Sequence, residues 1–141
     1  MERTATAPRV IHPVHAALLA AILPLFLGAL LADWAYSSSY QVQWINFGAW
    51  LNAGALVFAG FALLWAVIDF FRADRRRDPR SALYLLALIA TFVVGFIGAL
   101  VHAKDAWASM PAALILSLVT FVLALASVWL GFATLRNGAA R

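Results

Sequence analysis

Cysteine is absent from this 141-residue chain, and charge is scarce, with 11% of residues Asp, Glu, Lys or Arg. The missing cysteine excludes a disulfide framework, a thiolate metal site, an iron–sulfur cluster and a covalently attached c-type haem. The scarcity of charge excludes an ordinary solvated surface, because soluble proteins carry about 25% charged residues. What fills the space is apolar: 65% of residues are hydrophobic and the mean hydropathy is +0.91. A globule of this size cannot hide that much apolar surface inside itself. Lipid is the solvent that fits.

Four long apolar runs account for most of the chain: Val14–Ala32, Phe47–Ile68, Ala82–Ala103 and Ala112–Leu135. Each meets the roughly 17–25 residues that a helix needs to cross about 30 Å of hydrocarbon. The first run is too long for the apolar region of a signal peptide, and Asp33-Trp34-Ala35-Tyr36 is a poor cleavage site. All four spans are therefore expected in the mature protein. Pro13 and Pro111 suit helix starts, where a missing N–H costs nothing. Asp78-Pro79-Arg80-Ser81 reads as a turn ending in an N-cap serine. Pro24 lies within the first span and predicts a kink there.

The net charge of +4 and the pI near 10.4 suggest nucleic acid until the basic residues are placed. Arg3 and Arg9 precede the first span. Arg72, Arg75, Arg76, Arg77 and Arg80 occupy the second loop, and Arg136 and Arg141 end the chain. Lys104 alone falls on the opposite side. The positive-inside rule then puts both termini and the arginine loop in the cytoplasm. Basic charge is thus a topology signal with a seat for anionic lipid, not a nucleic-acid surface. Tyr36, Tyr40, Trp44 and Trp107 would gather as an aromatic belt at the outer interface.

Short connections predict an all-α integral membrane protein. Its four transmembrane helices form an up-down-up-down bundle, in one domain over residues 1–141 with spans about 14–34, 46–70, 82–103 and 112–135. Gly28-x-x-x-Ala32, Gly54, Gly60 and Gly95-x-x-x-Ala99 offer close-approach surfaces. Asn46, Asn52, Thr91, Ser117, Thr120 and Ser127 offer hydrogen bonds between helices.

Ionisable residues are costly in a bilayer and mark candidate sites. They fall into two groups. His12 and His15, three apart on one helical face, share the inner end with Asp69 and Arg72, and Asp69 could hold an imidazole in one tautomer. That group reads as a metal, haem or quinone site, or as a simple His15–Asp69 pair. At the outer end His102, Lys104, Asp105 and Trp107 meet Asp33 and Trp34, and His102 could bond either Asp33 or Asp105. That group reads as a quinone site, a docking surface for a partner, or a network that closes the bundle.

Haem b held by two histidines is a natural thought for a four-helix bundle. Depth restricts it. His15 starts the first helix and His102 ends the third, so about 19 residues at 1.5 Å each separate them by roughly 28 Å. One iron cannot bridge them within a subunit. A haem would need a second chain, a non-histidine ligand, or His15 or His102 acting as a single ligand. Nothing resembles a nucleophile–base pair or a phosphate loop, so the chain is not expected to be an enzyme on its own. No chain of titratable groups spans the middle of the bilayer, which argues against a transporter.

His12-Pro13-Val14-His15, Ile68-Asp69-Phe70 and Val101-His102-Ala103-Lys104-Asp105-Ala106-Trp107 are followed by Pro111, Leu114-Ile115-Leu116-Ser117 and Trp129-Leu130-Gly131. This arrangement resembles the bacterial four-helix membrane family catalogued as domain of unknown function 2231, over about residues 10–132. The resemblance implies four transmembrane helices. Because some relatives are fused to, or lie beside, Rieske, cytochrome c or quinoprotein sugar-dehydrogenase modules, it also implies a bacterial inner-membrane subunit near respiratory electron transfer. Quinone or haem would bind at the His12, His15, Asp69 cluster or at the Asp33, His102, Asp105, Trp107 cluster. A separate redox protein or a second copy of the chain would be the partner. A structural or assembly subunit is the alternative.

Overall fold

A computed structural model describes residues 12–72 and 79–136, with side chains as far as residue 133. Among the described residues five helices follow in order: α1 Pro13–Ser39, α2 Val42–Phe71, α3 Pro79–His102, the single-turn α4 Ala106–Ser109, and α5 Ala112–Arg136. No strand occurs among the described residues. Helices α1, α2, α3 and α5 are long and apolar enough to cross a membrane. They pack as a four-sided bundle in chain order, α1 against α2 and α5, and α3 against α2 and α5. The contacts fix antiparallel neighbours, since the starts of α1 and α3 meet at one end and their last turns meet at the other.

The bundle is apolar outside and mixed inside. Trp50, Phe61, Leu86 and Trp129 are all more than half exposed, a surface that only lipid can solvate. The inward positions repeat by alternating steps of four and three. They are His15, Leu19, Ile22, Phe26, Ala29, Asp33 and Tyr36 on α1, and Tyr84, Leu88, Thr91, Gly95 and Gly98 on α3. A mean step of 3.5 residues is the repeat of left-handed bundles. Helix α2 contributes Gly48, Asn52, Ala55, Ala59, Ala62 and Ala66, and α5 contributes Ser117, Thr120, Ala124, Ser127 and Gly131. These small residues leave room for the larger side chains of α1, as membrane packing requires where apolar burial gives no advantage over lipid.

Several local expectations change. α1 runs five residues beyond position 34, because Ser37, Ser38 and Ser39 bond back to the carbonyls of Trp34 and Ala35 and stay helical. Only Tyr40 and Gln41 then separate α1 from α2. α3 begins at Pro79, ahead of Ser81, since proline's fixed φ is already helical and its missing N–H is not needed in a first turn. α1 continues through Pro24, which faces outward. Tyr36 is 1% exposed and belongs to the core, not to an interfacial belt, whereas Tyr40, Trp44 and Trp107 remain exposed. Arg3, Arg9, Arg75, Arg76, Arg77, Asp78 and Arg141 lie outside the described residues.

Between the two ends of the bundle, two side-chain hydrogen bonds join helices among the described residues. Asn52 donates to the Gly95 carbonyl at 3.0 Å, tying α2 to α3. The hydroxyls of Thr91 and Ser127 lie 2.9 Å apart, tying α3 to α5. A double-mutant cycle of Thr91→Val and Ser127→Ala, read by unfolding in detergent, should return a coupling of about 0.5–1.7 kcal/mol. Additivity would show that each hydroxyl is already satisfied by its own i−4 carbonyl.

Candidate functional site

Asp33 is 0% exposed in the last turns of α1 and is gripped from two sides. His102, ending α3, places Nε2 at 2.9 Å from Oδ1 of Asp33. Ser117 on α5 donates its hydroxyl to Oδ2. The fourth side is α2, where Gly48 sits so close that a Cβ would lie 2.7 Å from Oδ1. Nδ1 of His102 lies 2.8 Å from the Gly98 carbonyl. A carbonyl can only accept, so Nδ1 carries a proton and donates it.

One proton is then left for the line between Nε2 and Oδ1. If Nε2 holds it, the pair is imidazolium and carboxylate; if Oδ1 holds it, both are neutral. The pair has no net charge in either case, which suits burial at a bundle end in lipid.

The opposite end of the bundle holds a second cluster on the same faces. His15 lies 18 residues before Asp33, and Tyr84 lies 18 before His102, about five turns and ~27 Å on each helix. Nε2 of His15 shares a hydrogen bond of 3.1 Å with the Tyr84 hydroxyl. Trp65 of α2 stacks on the His15 ring at 5.6 Å and meets the His12 ring at 4.9 Å. A Cβ at Gly131 would press on Leu19 at 2.9 Å and on the Tyr84 ring at 3.1 Å, so α5 approaches here because that position is bare.

The candidate residues thus separate. Asp33 and His102 come together, with Ser117, which the sequence suggested only as a helix–helix contact. Asp105 does not join them: it is exposed, and its backbone carbonyl accepts from Ala108 and Ser109 to start α4. Trp107 is exposed and stacks on Tyr40 at 5.2 Å. His12 is exposed and caps α1, Nδ1 accepting from the Val14 amide at 3.4 Å. Asp69 lies 3.6 Å from Arg72, and His15 meets the Tyr84 hydroxyl. Tyr84, Trp65 and Gly48 were missed from sequence. The 18-residue spacing shared by the two helices could have found Tyr84.

A family model described as "Predicted membrane protein (DUF2231)" matches residues 11–136. The chain belongs to the DUF2231 family. No curated protein and no solved structure matches it.

Haem does not fit this DUF2231 protein as a group held between His15 and His102 of one chain. His15 and His102 lie at opposite ends, and both ring nitrogens of His102 are committed to Gly98 and Asp33. Among the described residues no three His, Asp or Glu side chains are grouped to hold a metal ion. Beside the Asp33 cluster, however, the DUF2231 bundle opens a cleft of about 340 Å³. Tyr36 and Ser37 line it from one turn beyond Asp33, and Leu114 from one turn before Ser117; Tyr40, Trp107, Met110 and Pro111 complete it.

Proposed function

We propose that this protein is a membrane subunit of respiratory electron transfer, not an enzyme by itself, that handles a proton at the Asp33–His102 pair for quinone chemistry at that end of the bundle. The bias of basic residues toward the other end supports an orientation in a bacterial inner membrane with this end outward and the termini in the cytoplasm. Reduction of a quinone to a quinol takes two electrons and two protons. The electrons come from a redox partner, and the pair serves as a buried station through which a proton passes. The carrying observation is the 2.9 Å contact between two buried side chains, Nε2 of His102 and Oδ1 of Asp33, a line that one shared proton accounts for. Among the described residues, no titratable side chain lies between this end and the His15 end. A proton relay through the bundle, as a transporter would use, is not supported.

A structural or assembly role is the second reading, and one observation favours it: the cluster's hydrogen bonds are closed among α1, α3 and α5. Asp33→Asn separates the two. An asparagine amide donates to a neutral Nε2 while its oxygen accepts from Ser117, so the fold survives with no transferable proton. Quinone-linked oxygen uptake by native membranes should fall at least tenfold at normal protein abundance. Unchanged uptake at normal abundance would leave the structural role.

A further inference from the structure

The geometry points to the cleft between α1, α4 and α5 as a binding site for one neutral, flat ring bearing two oxygens, the headgroup of a lipid quinone. This deepens the quinone reading above and rests on it for the choice of ligand. The cleft itself stands on two independent observations.

The first is its chemistry. No charged side chain lines it, so it offers nothing to a phosphate or a carboxylate. Its walls are aromatic and apolar, and three of the lining residues, Tyr36, Tyr40 and Ser37, carry hydroxyls. A volume of about 340 Å³ lies in the range of small-molecule sites, which are mostly apolar with a few polar groups that fix orientation. The Ser37 hydroxyl already donates to the Trp34 carbonyl at 2.7 Å, so it meets a ligand as an acceptor, as a quinol O–H requires. Tyrosine hydroxyls donate or accept and suit both the quinone and the quinol.

The second is backbone strain at the cleft wall. Tyr40 ends α1 with φ 54° and ψ 23°, the left-handed conformation where glycine is the usual residue. Among the described residues no other non-glycine has positive φ. A glycine there would cap the helix with less strain. The tyrosine instead lays its ring parallel to Trp107, at 5.2 Å and 17°, and edge-on to Tyr36 at 6.0 Å. Non-glycine residues held in this region concentrate at ligand clamps and active sites. Tyr40 and Trp107 form a stacked aromatic wall on which a ring can lie, with Tyr40 about two turns beyond Asp33 along α1.

The test is equilibrium binding of decylubiquinone to the full chain in nanodiscs, against empty nanodiscs as the blank. Wild type should bind saturably at one per chain, and Tyr40→Gly and Trp107→Ala should each weaken binding at least tenfold. Tyr40→Gly should melt no lower than wild type, because it removes strain along with the ring. Absence of saturable binding to wild type overturns the site. So does full affinity in Tyr40→Gly, or weakened binding that comes with a lowered melting temperature. Asp33→Asn leaves the cleft walls intact and should bind normally. Normal binding together with unchanged oxygen uptake in Asp33→Asn would sink the proton role and spare the cleft.

Discussion

Asp33→Ala is expected to lower the unfolding free energy by about 3–5 kcal/mol, the cost of removing one partner from a buried acid–base pair. The substitution strands two groups at once. Nε2 of His102 loses its partner while Gly98 still holds Nδ1, so the ring keeps its place but not its satisfaction. The Ser117 hydroxyl loses its acceptor. Asp33 is 0% exposed, so water cannot replace what is lost. Asp33→Asn, which keeps the shape and a hydrogen bond to each of His102 and Ser117, should cost about 1 kcal/mol. Denaturant unfolding of the purified protein in mild detergent distinguishes them. Equal costs for the two variants would show that packing, not the shared proton, dominates at this position.

Gly48→Ala should be the next most damaging change, at about 1–3 kcal/mol. The added Cβ would sit 2.7 Å from Oδ1 of Asp33, with the Ala29 carbonyl and the Ala32 side chain both at 3.5 Å. Oδ1 is the atom that meets His102, and Ser117 fixes the other oxygen. The carboxylate therefore cannot swing aside without breaking a bond, and α2 must retreat from α1. Gly54→Ala is the control on the same helix. Its nearest neighbour is Leu25 at 4.0 Å, so the methyl meets ordinary contact and helix propensity improves by up to about 1 kcal/mol. A measured order of Gly54→Ala above wild type above Gly48→Ala is expected. Similar melting of the two variants would mean that α2 is not pinned against Asp33.

The four spans were legible because a helix needs about 20 apolar residues to cross a bilayer, and few other segments supply them. Which face turned inward was harder to read. Both faces of each helix are apolar, so amphipathic contrast carries little signal, and the inward stripe must be found from small and polar residues at steps of three and four. On α2 that stripe is Gly48, Asn52, Ala55, Ala59, Ala62 and Ala66, of which only Asn52 attracted notice beforehand.

Asp33 and His102 stood out as ionisable residues in apolar runs, but the choice between Asp33 and Asp105 was open. Depth and face settle it: Asp33 continues the inward series of α1, whereas Asp105 falls in the turn that starts α4. At the other end, an acid was sought beside His15, and the partner passed over is a tyrosine hydroxyl. Tyr84 was overlooked because a tyrosine near a helix end reads as an interfacial anchor, yet it is 9% exposed and faces the interior. The serines at 37–39 looked like a loop because their back-bonds to the preceding turn leave no mark in the sequence.

A double-mutant cycle of Asp33→Ala and His102→Ala, read by unfolding in one detergent, addresses the central contact most directly. If the two side chains share a proton, each single variant strands the other member of the pair, and the double removes both members, leaving only the Ser117 hydroxyl that Asp33→Ala has already stranded. The double variant should then be little less stable than either single one, giving a coupling of about 2 kcal/mol or more. Additive losses would contradict the pairing, and with it both the proton station and the closed network that α1, α3 and α5 build around it.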